Sequence, residues 1–396
     1  MKPSTVNKRI NKLSLSVLCS ALFSISPASY ASSTQAPTLK QEVGQMLMVG
    51  LYGTKISADS PIVKEMSEYD IGGIILFDHQ DDKTRNIADP KQLKQLTSDL
   101  QTYARQTELP PLLIGIDQEG GMISNLKEKK GFRFFSDLSE QQLGTMNFPP
   151  YTQYQAYTQG ELMNEEGVNL DFAPVVDLNI NPDNPAIGKY QRSFGKDVPL
   201  VVKMARAEID GYHKAGIMCT LKHFPGLGSA SSNTDFNSVD VTKTWSPKEL
   251  EPYQQLINIP DPCQFIMVTH LINKKLDKTG QLASLSKPIV TGLLRNKIGF
   301  KGLIITDDMD AKAIENKYDM RVAVQKAVLA GNDIILVGGV MGNDPYNIAK
   351  TAYTAIYDLA KSSPEARKLV DADYQKIISV KRDHFHQTKK HQNIKS

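Results

Sequence analysis

The chain has 396 residues, 46 basic and 43 acidic, with 40% hydrophobic side chains and three cysteines. Four of the basic residues and none of the acidic ones lie in the first 31 positions, so the remainder carries 42 against 43 and is close to neutral. Neutrality gives no footing for nucleic acid or an anionic membrane as partner, and so few cysteines exclude a disulfide-scaffolded mini-protein.

The N-terminus reads as an address. Lys2, Lys8, Arg9 and Lys12 precede an apolar stretch from Leu13 to Ile25, and Ser29-Tyr30-Ala31 offers small residues at a cleavage point. That is the pattern of a secretory signal peptide over residues 1–31, which predicts export to the periplasm or beyond the cell. An uncleaved anchor is the alternative, but the apolar stretch falls short of the roughly 20 residues that span a bilayer. Leu18 precedes Cys19 where lipid attachment calls for a small residue. The mature chain has no predicted transmembrane segment. Cys219 and Cys263 both adjoin apolar runs, which predicts two buried free thiols rather than a disulfide.

After residue 31 the chain is long enough for two average domains or one large barrel. Short apolar runs recur, and they predict strands at Gln45–Leu51, Gly72–Phe77, Leu112–Ile116, Asn169–Phe172, Ile217–Leu221, Phe265–Thr269, Leu303–Thr306 and Asp333–Val337. Continuous apolar runs suit strands buried on both faces. Helical patterns intervene at Tyr151–Glu166, Leu200–Ala215 and Met320–Ala330. Strands alternating with helices imply βαβ units. Eight of them predict a single-domain TIM-type (β/α)8 barrel over residues 38–385, with an open doubly wound sheet as the alternative. Residues 386–396 read as a basic tail. Together with Lys381 and Arg382, the cluster Lys389, Lys390 and Lys395 reads as a solvated helix end.

Polar, chemically capable residues follow the strands directly. Asp117-Gln118-Glu119-Gly120-Gly121 follows the third, Asp171 closes the fourth, Lys222-His223 follows the fifth, His270 the sixth and Asp307-Asp308 the seventh. In a barrel these strand ends form one active face. An aspartate at Asp307 suits a nucleophile, though a helix-capping role is equally open from this segment alone. Lys222-His223-Phe224-Pro225-Gly226-Leu227-Gly228 turns sharply and presents donors that sugar hydroxyls need. Its spacing fits neither common phosphate loop, and no HExxH or paired Cys/His spacing points to a metal.

Taken in order, Ile116-Asp117-Gln118-Glu119-Gly120-Gly121, Asn169-Leu170-Asp171-Phe172-Ala173-Pro174-Val175, Arg192-Ser193-Phe194-Gly195, Lys222-His223-Phe224-Pro225-Gly226 and Thr306-Asp307-Asp308-Met309 resemble the motifs of glycoside hydrolase family 3. They span about residue 40 to residue 340. The chain is similar to the compact single-barrel β-N-acetylhexosaminidase branch. The resemblance implies retaining hydrolysis of a β-linked N-acetylhexosamine from glycans such as peptidoglycan fragments, without metal or organic cofactor. It implies Asp307 as nucleophile, and Asp117, Arg192, Lys222 and His223 as ligands of the first sugar.

Two departures bear on that implication. In the compact branch the loop after Lys-His-Phe-Pro-Gly carries Asp-Ser/Thr-His, whose His is the acid/base. Here Asn233-Thr234-Asp235 stands in its place. An imidazole near pKa 6.5 exchanges protons at neutral pH, whereas an ordinary Asp near 3.9 does not. Asp235 is therefore the candidate acid/base, on a loop whose Gly226 and Gly228 predict pliability. Where the family often has Arg after Glu-Gly-Gly and again three residues on, Met122 and Asn125 stand. These changes keep two further readings open: a weakened barrel that binds sugar or a partner, and transfer to phosphate instead of water.

Overall fold

The computed structural model describes residues 36–395 apart from 81–82, 134, 340 and 342–343, and leaves out the side chains of 80, 83–84 and 387–395. The segment 1–31 read as a signal peptide, Cys19 included, lies outside the described residues.

Eight parallel strands build the molecule: β1 Leu47–Gly50, β2 Gly73–Ile75, β3 Leu113–Ile116, β4 Leu170–Asp171, β5 Met218–Phe224, β6 Phe265–Val268, β7 Leu303–Thr306 and β8 Ile335–Val337. Neighbours run β7-β6-β5-β4-β3-β2-β1-β8. A parallel bridge between Ile305 and Ile334 closes the ring, reinforced by the Thr306 N–H on Ile334 O at 3.1 Å. All eight strands predicted from the apolar runs are present, each shortened by a residue or more except β7 and the extended β5. Their apolar side chains are buried, as strands covered on both faces require.

Every strand is followed by a helix: Pro61–Tyr69, Pro90–Gln106, Pro149–Glu165, Val198–Ala215, Glu251–Leu256, Pro288–Ile298, Met320–Ala330 and Pro345–Ser362. Proline sits at the first or second position of most of them, where its missing N–H costs nothing. Gly216 and Gly331 end their helices at φ 79° and 103°, a backbone state that glycine adopts without a Cβ clash. Among the described residues, no helix is long and apolar enough to cross a membrane.

A last helix, Pro364–Lys395, runs back beneath the barrel, where the strands begin. Lys376 Nζ and Arg295 Nη2 both reach Asp333 at 2.6 Å, just ahead of β8. Arg367 pairs with Glu42. The same helix runs on through residues 386–395, the stretch read from the sequence as a basic tail. Lys381 is not a solvated residue as its charge suggested. It is 2% exposed, and its ammonium donates to Gln45 Oε1 and Gly72 O, both at 2.6 Å. Burial pushes its pKa down to about 7. The sequence misleads here because a lysine that plugs a barrel end and one that faces water look alike in a helical pattern.

The cysteine expectation is also corrected. Cys219 and Cys263 form a disulfide with Cα atoms 4.9 Å apart. The cause is register: β5 and β6 pair with Thr220 opposite Phe265, which brings residue 219 beside the segment entering β6. A sequence separation of 44 hides that neighbourhood in the sequence.

Candidate active site

The carboxyl ends of β3, β4, β5, β6 and β7 converge on one cleft. Lys222, near the end of β5, is buried, and its ammonium meets two carboxylates at 2.6 Å, Asp117 Oδ1 and Glu119 Oε1. Burial alone would strip its proton, but Asp117 and Glu119 outweigh that and hold it charged. Arg192 grips Glu119 from the other side with Nε and Nη2, each at 2.7 Å. Burial would raise the Glu119 pKa, yet Arg192 and Lys222 hold it at about 2. Glu119 is thus a fixed anion that spaces two cations. Asp117 keeps 26% of its side chain exposed and faces the cleft.

His223 follows through a cis peptide. Its Nδ1 lies 2.7 Å from Asp177 Oδ2 and its Nε2 lies 3.2 Å from Arg192 Nη2. A guanidinium only donates, so Nε2 accepts and the proton sits on Nδ1, facing Asp177. Asp177 also accepts from the Leu227 N–H at 2.6 Å, which ties the His223 orientation to the following turn.

Asp307 stands at the end of β7. Its Oδ1 accepts from the Asp308 N–H at 2.9 Å. Burial works to raise its pKa, but the imidazoles of His270 and His223, the Asp308 N–H and the Thr269 hydroxyl together hold it below the ordinary carboxylate range. Asp308 differs although it adjoins: burial pushes it up to about 7, and its Oδ1 accepts from the Asp310 and Gly338 N–H groups at 3.1 and 2.9 Å. A Cβ at Gly338 would lie 2.5 Å from Asp308 Oδ2, so the β8 end passes close only because it is glycine. Asp308 is a brace, tied to two backbone N–H groups, whereas Asp307 is the more acidic member of the pair. His270 is a brace as well, with Nε2 on Asp308 O at 2.9 Å and Nδ1 on Ser284 Oγ at 2.7 Å.

Asp235 is brought to the same mouth by a fastened loop. The Lys312 and Ala313 N–H groups, just beyond β7, donate to Asp235 O at 2.9 Å and to Thr234 O at 3.2 Å. Asn233 Oδ1 accepts from the Asp235 N–H at 2.9 Å. Burial and the facing charge of Asp307 raise the Asp235 pKa. The glycines do not lend pliability: a Cβ at Gly228 would lie 1.8 Å from Leu178 O, so that position serves close packing.

The sequence reading brought Asp117, Arg192, Lys222, His223, Asp235 and Asp307 forward, and the fold places all six around one cleft. It gave no role to Glu119, Asp177 or Arg85. Glu119 sat in the quoted Asp-Gln-Glu-Gly-Gly run, and a buried acid between two cations is visible only in three dimensions. Arg85 donates to Leu51 O, Gly338 O and Gly339 O at 3.0, 2.6 and 3.2 Å, and clamps the ends of β1 and β8. Of the two missing arginines, Met122 is an exposed apolar side chain. Asn125 instead bonds the Asp117 carbonyl at 2.7 Å and the Asp78 N–H at 2.8 Å.

The clamp around Glu119 has a measurable consequence. Its folded pKa of about 2 lies below the unfolded 4.5, so its stabilisation is present above pH 4.5 and lost as pH falls from 4.5 toward 2. Glu119→Gln should destabilise the fold by about 3 kcal/mol at neutral pH, since it leaves buried cations short of one anion. Thermal unfolding from pH 6 to pH 3 checks this: the variant should lose less stability than the parent. Parallel curves would assign the acid sensitivity elsewhere.

Comparison with known proteins identifies the family. Residues 38–380 match the model of the glycosyl hydrolase family 3 N-terminal domain. The chain is 31% identical to beta-hexosaminidase A of Pseudoalteromonas piscicida, over 78% of this chain and 55% of that protein. It is 32% identical to a beta-hexosaminidase of Xylella fastidiosa strain 9a5c, over 74% of this chain and 83% of the relative. Among solved structures, a family 3 beta-N-acetylglucosaminidase from Paenibacillus sp. str. FPU-7 superposes with a TM-score of 0.79 at 31% identity, covering 88% of this chain and 63% of that one. A beta-N-acetylhexosaminidase from Beutenbergia cavernae superposes at 0.77 with 28% identity, over 87% and 99% of the two chains. The chain thus spans about half of the first curated relative and most of the second. With a family match over nearly the whole barrel and the ordered motifs seated on its strand ends, the chain belongs to glycosyl hydrolase family 3.

Proposed function

We propose that the protein is a retaining exo-glycosidase that removes β-linked N-acetylglucosamine from the ends of glycans. The observation that carries this reading is the divided acid pair at the barrel mouth. Asp307 ends β7 with its Oδ1 on the Asp308 N–H, and Asp235 stands on a loop whose carbonyls accept from the Lys312 and Ala313 N–H groups just beyond β7; the first is held below the ordinary carboxylate range and the second above it. Two carboxyl groups displaced in opposite directions are what retaining hydrolysis requires.

In the first step an Asp307 oxygen attacks the anomeric carbon. The glycosidic C–O bond breaks, and the Asp235 proton passes to the leaving oxygen. In the second step Asp235 takes a proton from water. The hydroxyl oxygen bonds the anomeric carbon, and Asp307 leaves as carboxylate. Asp117, with Arg192, Lys222 and His223 behind it, orients the sugar hydroxyls before either step. None of these steps calls on a metal or an organic cofactor. The reading as a sugar-binding barrel is not favoured, because binding alone gives no reason for opposite displacements of two neighbouring acids.

Turnover of a chromogenic β-N-acetylglucosaminide, set against the matching β-glucoside, tests the proposal. A clear preference for the amino sugar is expected. Absence of turnover of either across pH 3 to 8 would overturn it.

We further infer that the substrate is met outside the cytoplasm, as peptidoglycan fragments or similar amino-sugar chains. The N-terminal pattern and the Cys219–Cys263 disulfide support export, since disulfides persist in oxidising compartments. N-terminal sequencing of the mature protein should begin near Ser32. A chain still starting at Met1 would count against it.

A further inference from the structure

Ten large apolar side chains are conspicuously exposed among the described residues: Tyr52, Met122, Phe135, Met146, Phe148, Tyr154, Ile180, Tyr190, Phe236 and Val322. All ten sit in loops that follow barrel strands, or in the first two turns of the helices those loops enter. The exposed apolar groups therefore lie on the rim and upper flank of the barrel at its cleft end. Scattered surface hydrophobics need no explanation, but segregation to one end marks a recognition surface.

Within that set one group is organised. Phe135 and Tyr154 are 53% and 50% exposed, and their rings meet at 4.7 Å with an interplanar angle of 70°. Tyr151 backs Phe135 at 5.3 Å and is itself held by a hydrogen bond from its hydroxyl to Ser136 Oγ at 3.1 Å. Two rings set nearly at right angles make a corner, with one wall for the flat face of a ligand and one for its edge. The corner opens onto a groove of about 410 Å³ that continues along the outer side of the helix Pro149–Glu165, past Thr158 and Leu162, and also presents Arg133, Glu161 and Glu165. Aromatic walls with charged groups at the rim suit a ring that has apolar C–H faces and an equatorial fringe of hydroxyl and amide groups. A purely apolar partner would leave those charges buried and costly.

The corner is also coupled to the cleft. Asp137, two residues beyond Phe135, accepts the Gly121 N–H on its carbonyl at 2.9 Å. Its carboxylate takes the Gln159 amide at 3.1 Å and the Gln118 amide at 3.3 Å. Gln118 precedes Glu119 and Gly121 follows it by two, so the segment carrying Phe135 is bonded to the turn that carries the sugar-orienting acids.

We propose that the Phe135–Tyr154 corner is a second saccharide-binding site, which holds a distal N-acetylglucosamine unit of a β-linked chain while the terminal unit occupies the cleft. The inference rests on the glycosidase reading above. Its occupant is an uncharged N-acetylglucosamine oligomer, and the site favours long chains over short ones.

The test uses a β-1,4-linked N-acetylglucosamine hexamer, titrated calorimetrically into the Asp307→Ala protein so that it is not consumed. Adding Phe135→Ala or Tyr154→Ala should weaken hexamer binding about tenfold. Tyr154→Phe should keep it, because the ring and not the hydroxyl stacks. In the otherwise unaltered enzyme the same alanine changes should leave turnover of the chromogenic monosaccharide unchanged. Unaltered hexamer binding in both alanine variants would overturn the proposal. So would a change confined to sedimentation behaviour, which would make the corner a surface for another copy of the chain. Failure of the glycosidase reading shows differently, as absent chromogenic turnover in the unaltered protein whatever the hexamer does.

Discussion

Asp307→Ala should lower kcat/KM for a β-N-acetylglucosaminide by about 10⁴-fold, or roughly 5.5 kcal/mol of transition-state stabilisation. The carboxylate is placed by β7, whose Leu303, Ile304 and Ile305 are fully buried, so the end of the strand is rigid. Its backbone N–H donates to Val268 O at 2.9 Å, which locks it to the neighbouring strand. The substitution removes one carboxylate and leaves those bonds in place, so the unfolding temperature should change little. A second readout separates loss of the nucleophile from general damage. Asp307 is the largest source, after burial, of the upward displacement of Asp235. Removing it should let the Asp235 pKa fall, visible by carbon-13 NMR of labelled aspartate. A folded Asp307→Ala protein with activity near the parent's would end the nucleophile assignment. An unmoved Asp235 would show that the two acids do not sense each other.

The barrel was legible because most buried parallel strands write themselves as apolar runs of Val, Ile, Leu and Met; β4, only Leu170–Asp171, is the exception, with one aliphatic side chain beside an acid. The site was legible for a related reason: strand ends carry the chemistry, and Asp117, Lys222, His223 and Asp307 each lie within a few residues of one. What stayed hidden was long-range. Glu119 matters through Arg192, 73 residues away, and Lys222, 103 residues away along the sequence. Lys381 is buried because the last helix returns beneath β1, where Gln45 Oε1 accepts a hydrogen bond from its ammonium across 336 residues. No local pattern reports a partner so distant. The disulfide belongs to the same class, since it depends on which strands adjoin. The glycines of the β5 loop misled in another way: glycine signals freedom in an open turn and tight contact in a packed one, and only the packing tells which.

Asp235→Asn should divide the reaction at its two steps. An amide cannot donate the proton that a poor leaving group needs, so natural glycans should be cleaved about 10²- to 10⁴-fold more slowly. An activated aryl glycoside leaves without that help and should still form the bond to Asp307. Its glycosyl intermediate should then accumulate, because no base remains to activate water. Added azide should restore turnover and yield a glycosyl azide. The pH profile carries the sign. The proposed mechanism needs Asp307 ionised and Asp235 protonated. The parent's rate should rise with pH through the depressed pKa of Asp307 and fall through the raised pKa of Asp235, with the optimum between the two. In Asp235→Asn the alkaline limb should vanish for the aryl substrate. Restoring the residues found in the compact branch, with Asn233→Asp and Asp235→His together, should move the optimum upward, since an imidazole near pKa 6.5 exchanges protons closer to neutrality. Three results would remove Asp235 from the mechanism: undiminished cleavage of natural glycans by Asp235→Asn, no azide product, or an alkaline limb that survives the change. The proton donor would then have to be sought among the other groups that face Asp307.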